Sequence, residues 1–507
     1  MSTSSSEPRT RVGVWLIGAR GSVATTVVAG CAAVTAGLHR PTGMVTETPP
    51  FTDCGLPPLS ALVFGGHDTV DCPLPKRAEA LTAAGVLPYG LPSAIAAELA
   101  AAEREIRPGA PTPGEMDRTP DDLVAAFAAD IQDFVRRHDL TRAVVVNVAS
   151  TEPTPTGTAL PPSSLYAAAA LRAGCPYVNF TPSTGLHHPA LAHAAATSGL
   201  PYAGRDGKTG QTLLRSVLGP MFTQRALEVR AWSGTNLLGG GDGASLADPS
   251  AAAAKNAGKE RVLADTLGTT PEGTVHIDDV PSLGDWKTAW DHIAFDGFLG
   301  TRMILQTTWQ GCDSALAAPL ILDLARLTAR AHETGLSGPL RELGFYFKDP
   351  VGDGPAGLGE QYAELVGFAG RLRGGGGTGV PAVPAGTVEM SGAAEPAVIS
   401  EPAGLAGSVG LAGSAVTPRS AGGAGVSGEG VGPAGLSGAE GNGPGPGASA
   451  VTPGTAGDTG LSGDVTGPAG PSSVEESGRD ADARAEEPRP SGSPDGGRPA
   501  DGEGERR

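Results

Sequence analysis

Residues 11–17, RVGVWLI, form a compact apolar run, and the segment 18–37 that follows is built mainly from glycine and small residues. That order predicts a strand, a tight turn and a helix. Two further apolar runs, ALVFGG at 61–66 and RAVVVNVA at 142–149, have the unbroken character of strands buried on both faces. Each ends in a polar cluster, His67-Asp68 in the first and Ser150-Thr151-Glu152 in the second. A helical pattern at 120–137 lies between them, so strands and helices alternate. The expected fold class is therefore α/β, with a parallel, doubly wound sheet. In such sheets ligands sit beyond the carboxyl ends of the strands, where both polar clusters fall.

After PYVNFTPS (176–183) the pattern changes. Residues 201–311 are richer in charged and polar motifs and read as an inserted second domain, whereas 312–330 is again a strongly apolar helix suited to packing back on the first. Phe368 is the last aromatic residue, and no Cys, His or Lys follows it. A stretch dominated by Gly, Ala, Pro, Ser and Thr cannot bury enough apolar surface to offset chain entropy. Gly keeps no strict third-position period there, which argues against a collagen helix. The expected organisation is a first domain at 10–200, an insertion at 201–311, a return segment at 312–370 and a disordered tail at 371–507.

The formal net charge of −18 disfavours nucleic-acid and anionic-membrane binding and makes any phosphate site depend on local positive charge. Residues 1–9 carry no apolar core of a signal peptide, and no run of about 18 apolar residues occurs, so no membrane span is expected. The five cysteines (31, 54, 72, 175 and 312) are odd in number and lack CxxC spacing. They read as reduced thiols of a soluble, cytoplasmic protein, with no metal site expected. His187-His188, His276 and His292 show no ligand spacing and read as structural or surface groups.

Gly18, Gly21 and Ala24 stand close to the dinucleotide fingerprint G-x-G-x-x-G, but Arg20 occupies the place of its second glycine. The turn is either a dinucleotide site, with the amides of Gly21, Ser22 and Val23 at the helix start holding phosphates, or a tight strand-helix junction. An acid ending the second strand usually meets the ribose. Glu47, at the end of MVTE, and Asp68 are both candidates.

Lysine is scarce. Lys and Arg total 36, yet lysine stands only at 76, 208, 255, 259, 287 and 348. A composition that uses arginine wherever charge alone is wanted keeps lysine where a compact ammonium or a titratable amine is needed. Lys208 sits in GRDGKTGQT, Lys287 in LGDWK and Lys348 at the end of GFYFK. Lys255 and Lys259 are spaced i, i+4 and share one helical face. Two cations so placed repel unless an anion lies between them, which predicts a phosphorylated ligand; the alternative is a set of solvated surface charges.

These motifs resemble those of the inositol-3-phosphate synthases, also called myo-inositol-1-phosphate synthases, over residues 11–353. AGRDGKTGQT (203–212) is similar to that family's G-D-D-x-K-S/T-G-Q-T, NLLGGGDG (236–243) to N-H-L-G-N-N-D-G, and LGDWKTAWD (283–291) to V-G-D-S-K-x-A-x-D. CDSALAAPLILDL (312–324) and FYFKDP (345–350) extend the likeness.

The resemblance implies a Rossmann-like NAD domain, an inserted α+β domain for catalysis and oligomer assembly, and a homotetramer. It also implies a redox-neutral reaction. Bound NAD oxidises C5 of D-glucose 6-phosphate, C6 loses a proton and attacks C1, and the hydride returns to C5, giving 1D-myo-inositol 3-phosphate. By resemblance the catalytic residues are Lys208, Lys255, Lys287 and Lys348, with Asp206 and Asp285 orienting lysines. The cofactor contacts are Gly18, Gly21, Ser22, Val23, Asp68, Ser150, Thr151, Asp242 and Asp313. Lys259, Thr209, Gln211 and Asn236 are the expected substrate contacts. Leu237 replaces the family's His, and Gly240-Gly241 its Asn pair, changes that permit a related cyclase acting on another sugar phosphate. An NAD-dependent dehydrogenase that releases NADH is a third reading, and a non-enzymatic scaffold whose functional part is the Gly/Pro/Ala tail is a fourth.

Overall fold

The computed structural model describes residues 10–109, 117–153, 158–240 and 249–374. Eleven strands occur among them: β1 Val12–Ile17, β2 Leu62–Asp68, β3 Ile106–Pro108, β4 Arg142–Asn147, β5 Tyr177–Asn179, β6 Pro201–Gly204, β7 Glu228–Leu238, β8 Val275–Asp279, β9 Trp286–Asp296, β10 Arg302–Cys312 and β11 Gly338–Pro339. Seven of them form one parallel sheet in the order β11-β6-β5-β4-β1-β2-β3. Chain order reverses between β1 and β4, so the crevice beyond their carboxyl ends is a topological switch point.

The alternation of side chains along β1 explains why its sequence is an unbroken apolar run. Val12, Val14 and Leu16 enter one buried layer with the helices Ser22–Thr35 and Asp313–Glu333. Trp15 and Ile17 enter the opposite layer with the helices Pro120–Arg137 and Pro162–Arg172. A strand covered on both faces needs apolar residues at every position. The helix Pro120–Arg137 buries Leu123, Val124, Phe127, Ile131 and Phe134, a stripe at helical spacing, and is started by a Thr119–Asp122 capping box.

The second sheet has the order β10-β9-β7-β8, antiparallel except for β7 with β8. Phe222, Trp232, Leu263 and Ile293 form the core between this sheet and the helices Gly210–Gln224 and Pro249–Leu267. The chain then returns: the helix Asp313–Glu333 packs beside Ser22–Thr35, β11 extends the parallel sheet beyond β6, and the helix Leu358–Gly374 buries Leu365, Phe368 and Leu372 in the same core.

Two boundaries differ from those expected. β6 pairs with β5 and buries Ala203, so the parallel sheet runs to residue 204 and the second unit begins after it. Residues 371–374 continue a helix whose Leu372 is fully buried, because Phe368 and Leu372 lie one turn apart on its inner face. The remainder of the expected tail, from 375, lies outside the described residues. Among the described residues no helix is long and apolar enough to cross a membrane.

β1 and β2 approach closely at Gly66, where an added Cβ would overlap the Leu16 carbonyl oxygen and lie 2.7 Å from the Ala19 Cβ. Backbone, unlike a flexible side chain, has no room to yield here. Gly66→Ala should therefore cost about 2 kcal/mol or more, read as a lowered urea midpoint. A midpoint equal to wild type would show that the two strands can separate without loss.

Candidate active site

A cavity of about 550 Å³ opens at the carboxyl ends of β1, β2 and β4 and is closed on its other side by the start of the second sheet. Gly18 leaves β1 with φ +84°, and a Cβ there would stand 2.7 Å from the Ala149 Cα, so the turn passes hard against the chain that follows β4. The His67 carbonyl accepts from the Gly18 and Ala19 amides at 2.9 and 3.1 Å. The helix Ser22–Thr35 has no side-chain cap, which leaves its first amides for solvent or a ligand phosphate. Gly18, Gly21, Ser22 and Val23 all line the cavity, with Ser150 and Thr151 facing them from beyond β4.

Arg20 does not block this turn. Its side chain leaves toward the helix Ala96–Arg104, pairing with Glu103 at 2.7 Å and donating to the Val70 carbonyl at 3.0 Å. Asp68 ends β2, lines the cavity, and accepts from the Arg20 and Val70 amides at 2.6 and 2.7 Å. Glu47 is excluded as the acid that ends the second strand. Residues Val45–Glu47 form a 3-10 turn, not a strand, and Glu47 pairs with Arg326. The second strand is Leu62–Asp68, so its terminal acid is Asp68.

The lysines are brought in by long-range pairing of backbone. The segment 204–208 zips against 346–351: the Lys208 amide donates to the Tyr346 carbonyl, Lys348 to Asp206 and Val351 to Gly204, at 2.7 to 2.8 Å. Asp206 takes a left-handed φ of +61°, a conformation Asp tolerates better than most residues. Its carboxylate accepts from the Lys348 ammonium at 2.7 Å, both groups buried. Gly258, on the helix Pro249–Leu267, leaves space for that carboxylate; a Cβ would lie 3.2 Å from Asp206 Oδ2. Lys259, next on the helix, is buried and lines the cavity. Lys287, on β9, pairs with Asp313 at 3.0 Å, and Asp313 also accepts from Thr209 at 3.4 Å.

Lys287, Lys348 and Lys259 thus line one cavity with Asp206, Asp285, Asp313, Thr209 and Gln211. Lys208 is placed differently. It does not line the cavity; its ammonium donates to Gln361 Oε1 on the helix Leu358–Gly374, and burial lowers its pKa to about 7. Asp285, expected to orient a lysine, makes no ion pair among the described residues, because Asp313 at the head of the next helix already meets Lys287. The side chain of Lys255 and all of Asp242 lie outside the described residues.

Gln211, in the wall, and Asn236, behind it, belong to one buried network. Asp291 accepts from Gln211 Nε2 at 2.9 and 3.0 Å, from Trp232 Nε1 at 2.8 Å and from Arg215 at 3.2 Å. Asn236 donates to Gln211 Oε1 at 3.0 Å and does not itself reach the cavity. Arg215 is fully buried and also donates to the Lys259 carbonyl at 3.3 Å, so this network sets the helix that carries Lys259. Asp291 and Arg215 escaped the reading of the sequence, although Asp291 closes the LGDWKTAWD motif. Gln361 carried no local signal at all. His67, whose carbonyl holds the glycine turn, is buried with its Nδ1 accepting from Trp15 at 3.0 Å.

A family model described as myo-inositol-1-phosphate synthase, within an NAD-binding class, matches residues 12–366. Inositol-3-phosphate synthase 1 of Bacteroides thetaiotaomicron is 31% identical over 404 residues, covering 68% of this chain and 90% of that protein. The human inositol-3-phosphate synthase 1 is 30% identical over 53% of this chain and 54% of its own length. Among solved structures, inositol-3-phosphate synthase of Caenorhabditis elegans superposes with a TM-score of 0.63 at 23% identity, over 72% of this chain and 86% of that one. A myo-inositol-1-phosphate synthase-related protein of Thermotoga maritima gives 0.59 at 22% identity, over 71% and 98%. At these identities the structures bear on the fold alone.

The buried Lys208 generates a pH prediction. Its folded pKa is depressed far below the unfolded value of about 10.4, so its contribution to stability is present above that value and is lost as pH falls through about 7. The wild-type urea midpoint should rise from pH 7 toward pH 10 relative to Lys208→Met, which cannot titrate. Parallel curves for the two proteins would show that Lys208 is not held in this way.

Proposed function

The chain belongs to the myo-inositol-1-phosphate synthase family, and from that premise we propose that it closes D-glucose 6-phosphate into 1D-myo-inositol 3-phosphate. The observation that carries this reading is the convergence of Lys259, Lys287 and Lys348, from three separate elements, on the cavity that the glycine turn also lines. NAD is the cofactor of the family. When bound it supplies an acceptor for the C5 hydride and returns that hydride at the end of the cycle.

The residues of this chain then bind, orient and carry charge. Gly18, Gly21, Ser22 and Val23 receive the dinucleotide at a helix start, and Asp68 receives its ribose. Lys287, held by Asp313 and lining the cavity, meets the developing oxyanion at C5 or C1 in this reading and exchanges a proton there. Lys348, held by Asp206, stabilises the second oxyanion. Lys259 meets the substrate phosphate, as the shared face of Lys255 and Lys259 led us to expect. Lys208 acts behind the wall, tying the 204–208 loop to the closing helix through Gln361.

Homotetrameric assembly and a cytoplasmic location are part of the same proposal. The outer face of the second sheet presents Trp290 and Ile304, 37% and 60% exposed, with Thr308 directly opposite Trp290 and the hydrogen-bonded Gln306–His292 pair between Thr308 and Ile304. A face with exposed apolar side chains of this kind suits a subunit contact. A second reading, a cyclase on another sugar phosphate, is favoured by Gly240; Gly241 lies outside the described residues. Gly240 has φ +64° and lies beside Asp285, so it offers no amide side chain to a substrate. Leu237 does not favour it, because it does not line the cavity.

Purified protein given NAD and glucose 6-phosphate should form a cyclic inositol phosphate with no net rise in NADH absorbance. Consumption of a different hexose phosphate instead would select the second reading, and steady accumulation of NADH would select a dehydrogenase. Lys287→Ala should lower kcat about a thousandfold, the order of loss seen when one charge-stabilising group is removed, while NADH binding is retained. Near wild-type turnover in that variant would remove Lys287 from the mechanism.

A further inference from the structure

The wall of the cavity beside β2 includes Thr69, Val70 and Arg77, none of which the motifs single out. Arg77 lies on the helix Leu74–Ala83. Its Nε is buried without a hydrogen-bond partner, and among the described residues its guanidinium forms no ion pair. A guanidinium half-exposed in the cavity wall, with its Nε sealed from water and unmatched, is costly at that atom in the free protein and gains when an anion binds. A dinucleotide carries such an anion, and on a chain of net charge −18 its diphosphate needs local positive charge. Arg20, the other arginine near the turn, is already neutralised by Glu103.

Both ends of the helix Leu74–Ala83 are pinned. At its start the Leu74 amide donates to Glu103 Oε2 at 2.9 Å, the same carboxylate that holds Arg20. At its end the carbonyl of the capping residue Ala84, an orphan acceptor by position, receives the indole N–H of Trp286 at 2.8 Å. Trp286 stands next to Lys287 at the head of β9, where the family motif V-G-D-S-K has serine, and it is 42% exposed, at the rim of the cavity and not in its depth. Its bond therefore spans from the second sheet to the first domain across the mouth of the cofactor crevice.

We propose that the helix Leu74–Ala83 is a phosphate clamp for the dinucleotide, in which Arg77 meets the diphosphate and Trp286 holds the helix over it. This rests on the reading of the cavity as the NAD site. Asp68 at the end of β2 selects the diphosphate as the anion recognised, because a carboxylate there accepts from a ribose hydroxyl and repels a 2′-phosphate.

Binding of NADH, NADPH, ADP and adenosine to the full chain tests the clamp without reference to turnover. Arg77→Met should weaken NADH and ADP about tenfold or more, the loss expected for a charged hydrogen bond, and leave adenosine unchanged. Lys76→Met removes the same charge from the same helix at an exposed position outside the cavity and should bind all four as wild type does. Trp286→Phe keeps an aromatic ring but not the N–H. It should weaken NADH about fivefold, and Arg77→Met should cost less in that background than in wild type. Equal ADP affinity in wild type and Arg77→Met overturns the proposal, as does an equal loss in Lys76→Met. A loss confined to NADPH overturns it in favour of a 2′-phosphate site. Wild-type protein that binds neither NADH nor ADP removes the cofactor site and the clamp together, whereas NADH binding that ignores Arg77 removes the clamp alone.

Discussion

Lys348 reaches Asp206 at 2.7 Å although 142 residues separate them, and the active cavity depends on that meeting. Two opposite charges buried together repay their desolvation only when geometry is good and their remaining valences are met. Here the backbone supplies the geometry. The 204–208 and 346–351 segments exchange hydrogen bonds in both directions, so each motif is the template for the other. Lys208 adds a side-chain tie to Gln361, and Gln361 in turn donates to the Pro355 carbonyl at 2.8 Å, which closes the last helix over the pair.

The same junction is braced from the opposite side by Asp323. This carboxylate is buried in the long helix after β10, where desolvation pushes its pKa up to about 7. It accepts from the Val45 amide at 2.7 Å, from Thr46 and from the Tyr346 hydroxyl at 3.3 Å. Tyr346 is the residue whose carbonyl receives the Lys208 amide. The return of the chain from the second sheet to the first is therefore built from buried polar groups that satisfy one another, and a slip of one residue anywhere in 346–349 would leave several unpaired.

The two ends of the cavity, one lined by the glycine turn and the other by lysines, are organised on different principles. At the end proposed for the cofactor, main-chain amides and a glycine turn line the cavity, and the Asp68 and Arg20 side chains also fix the backbone around it. At the end lined by lysines, ammonium groups are set in place by carboxylates distant in sequence, Asp313 for Lys287 and Asp206 for Lys348, while the Asp291–Arg215 network sets the helix bearing Lys259. Amides suit a phosphate whose charge is constant, whereas fixed amines suit oxyanions that appear and vanish during a reaction.

Much of this was legible in the amino-acid order, because it is local. Apolar runs such as 11–17 and 142–149 reveal strands covered on both faces, Gly18 and Gly21 reveal the turn, and the scarcity of lysine picks out three residues of the cavity wall, Lys259, Lys287 and Lys348. Partners were not legible, since they are chosen by contacts between distant segments. Glu47 looked like the end of a strand until the 3-10 turn placed it on Arg326, Lys287 stood near Asp285 in sequence yet pairs with Asp313, and nothing near Gln361 announced Lys208. Sequence alone determined which residue types and backbone forms were present. Which carboxylate meets which amine was decided by tertiary structure, because burial makes each unpaired charge so costly that the fold settles on the pairing that leaves fewest.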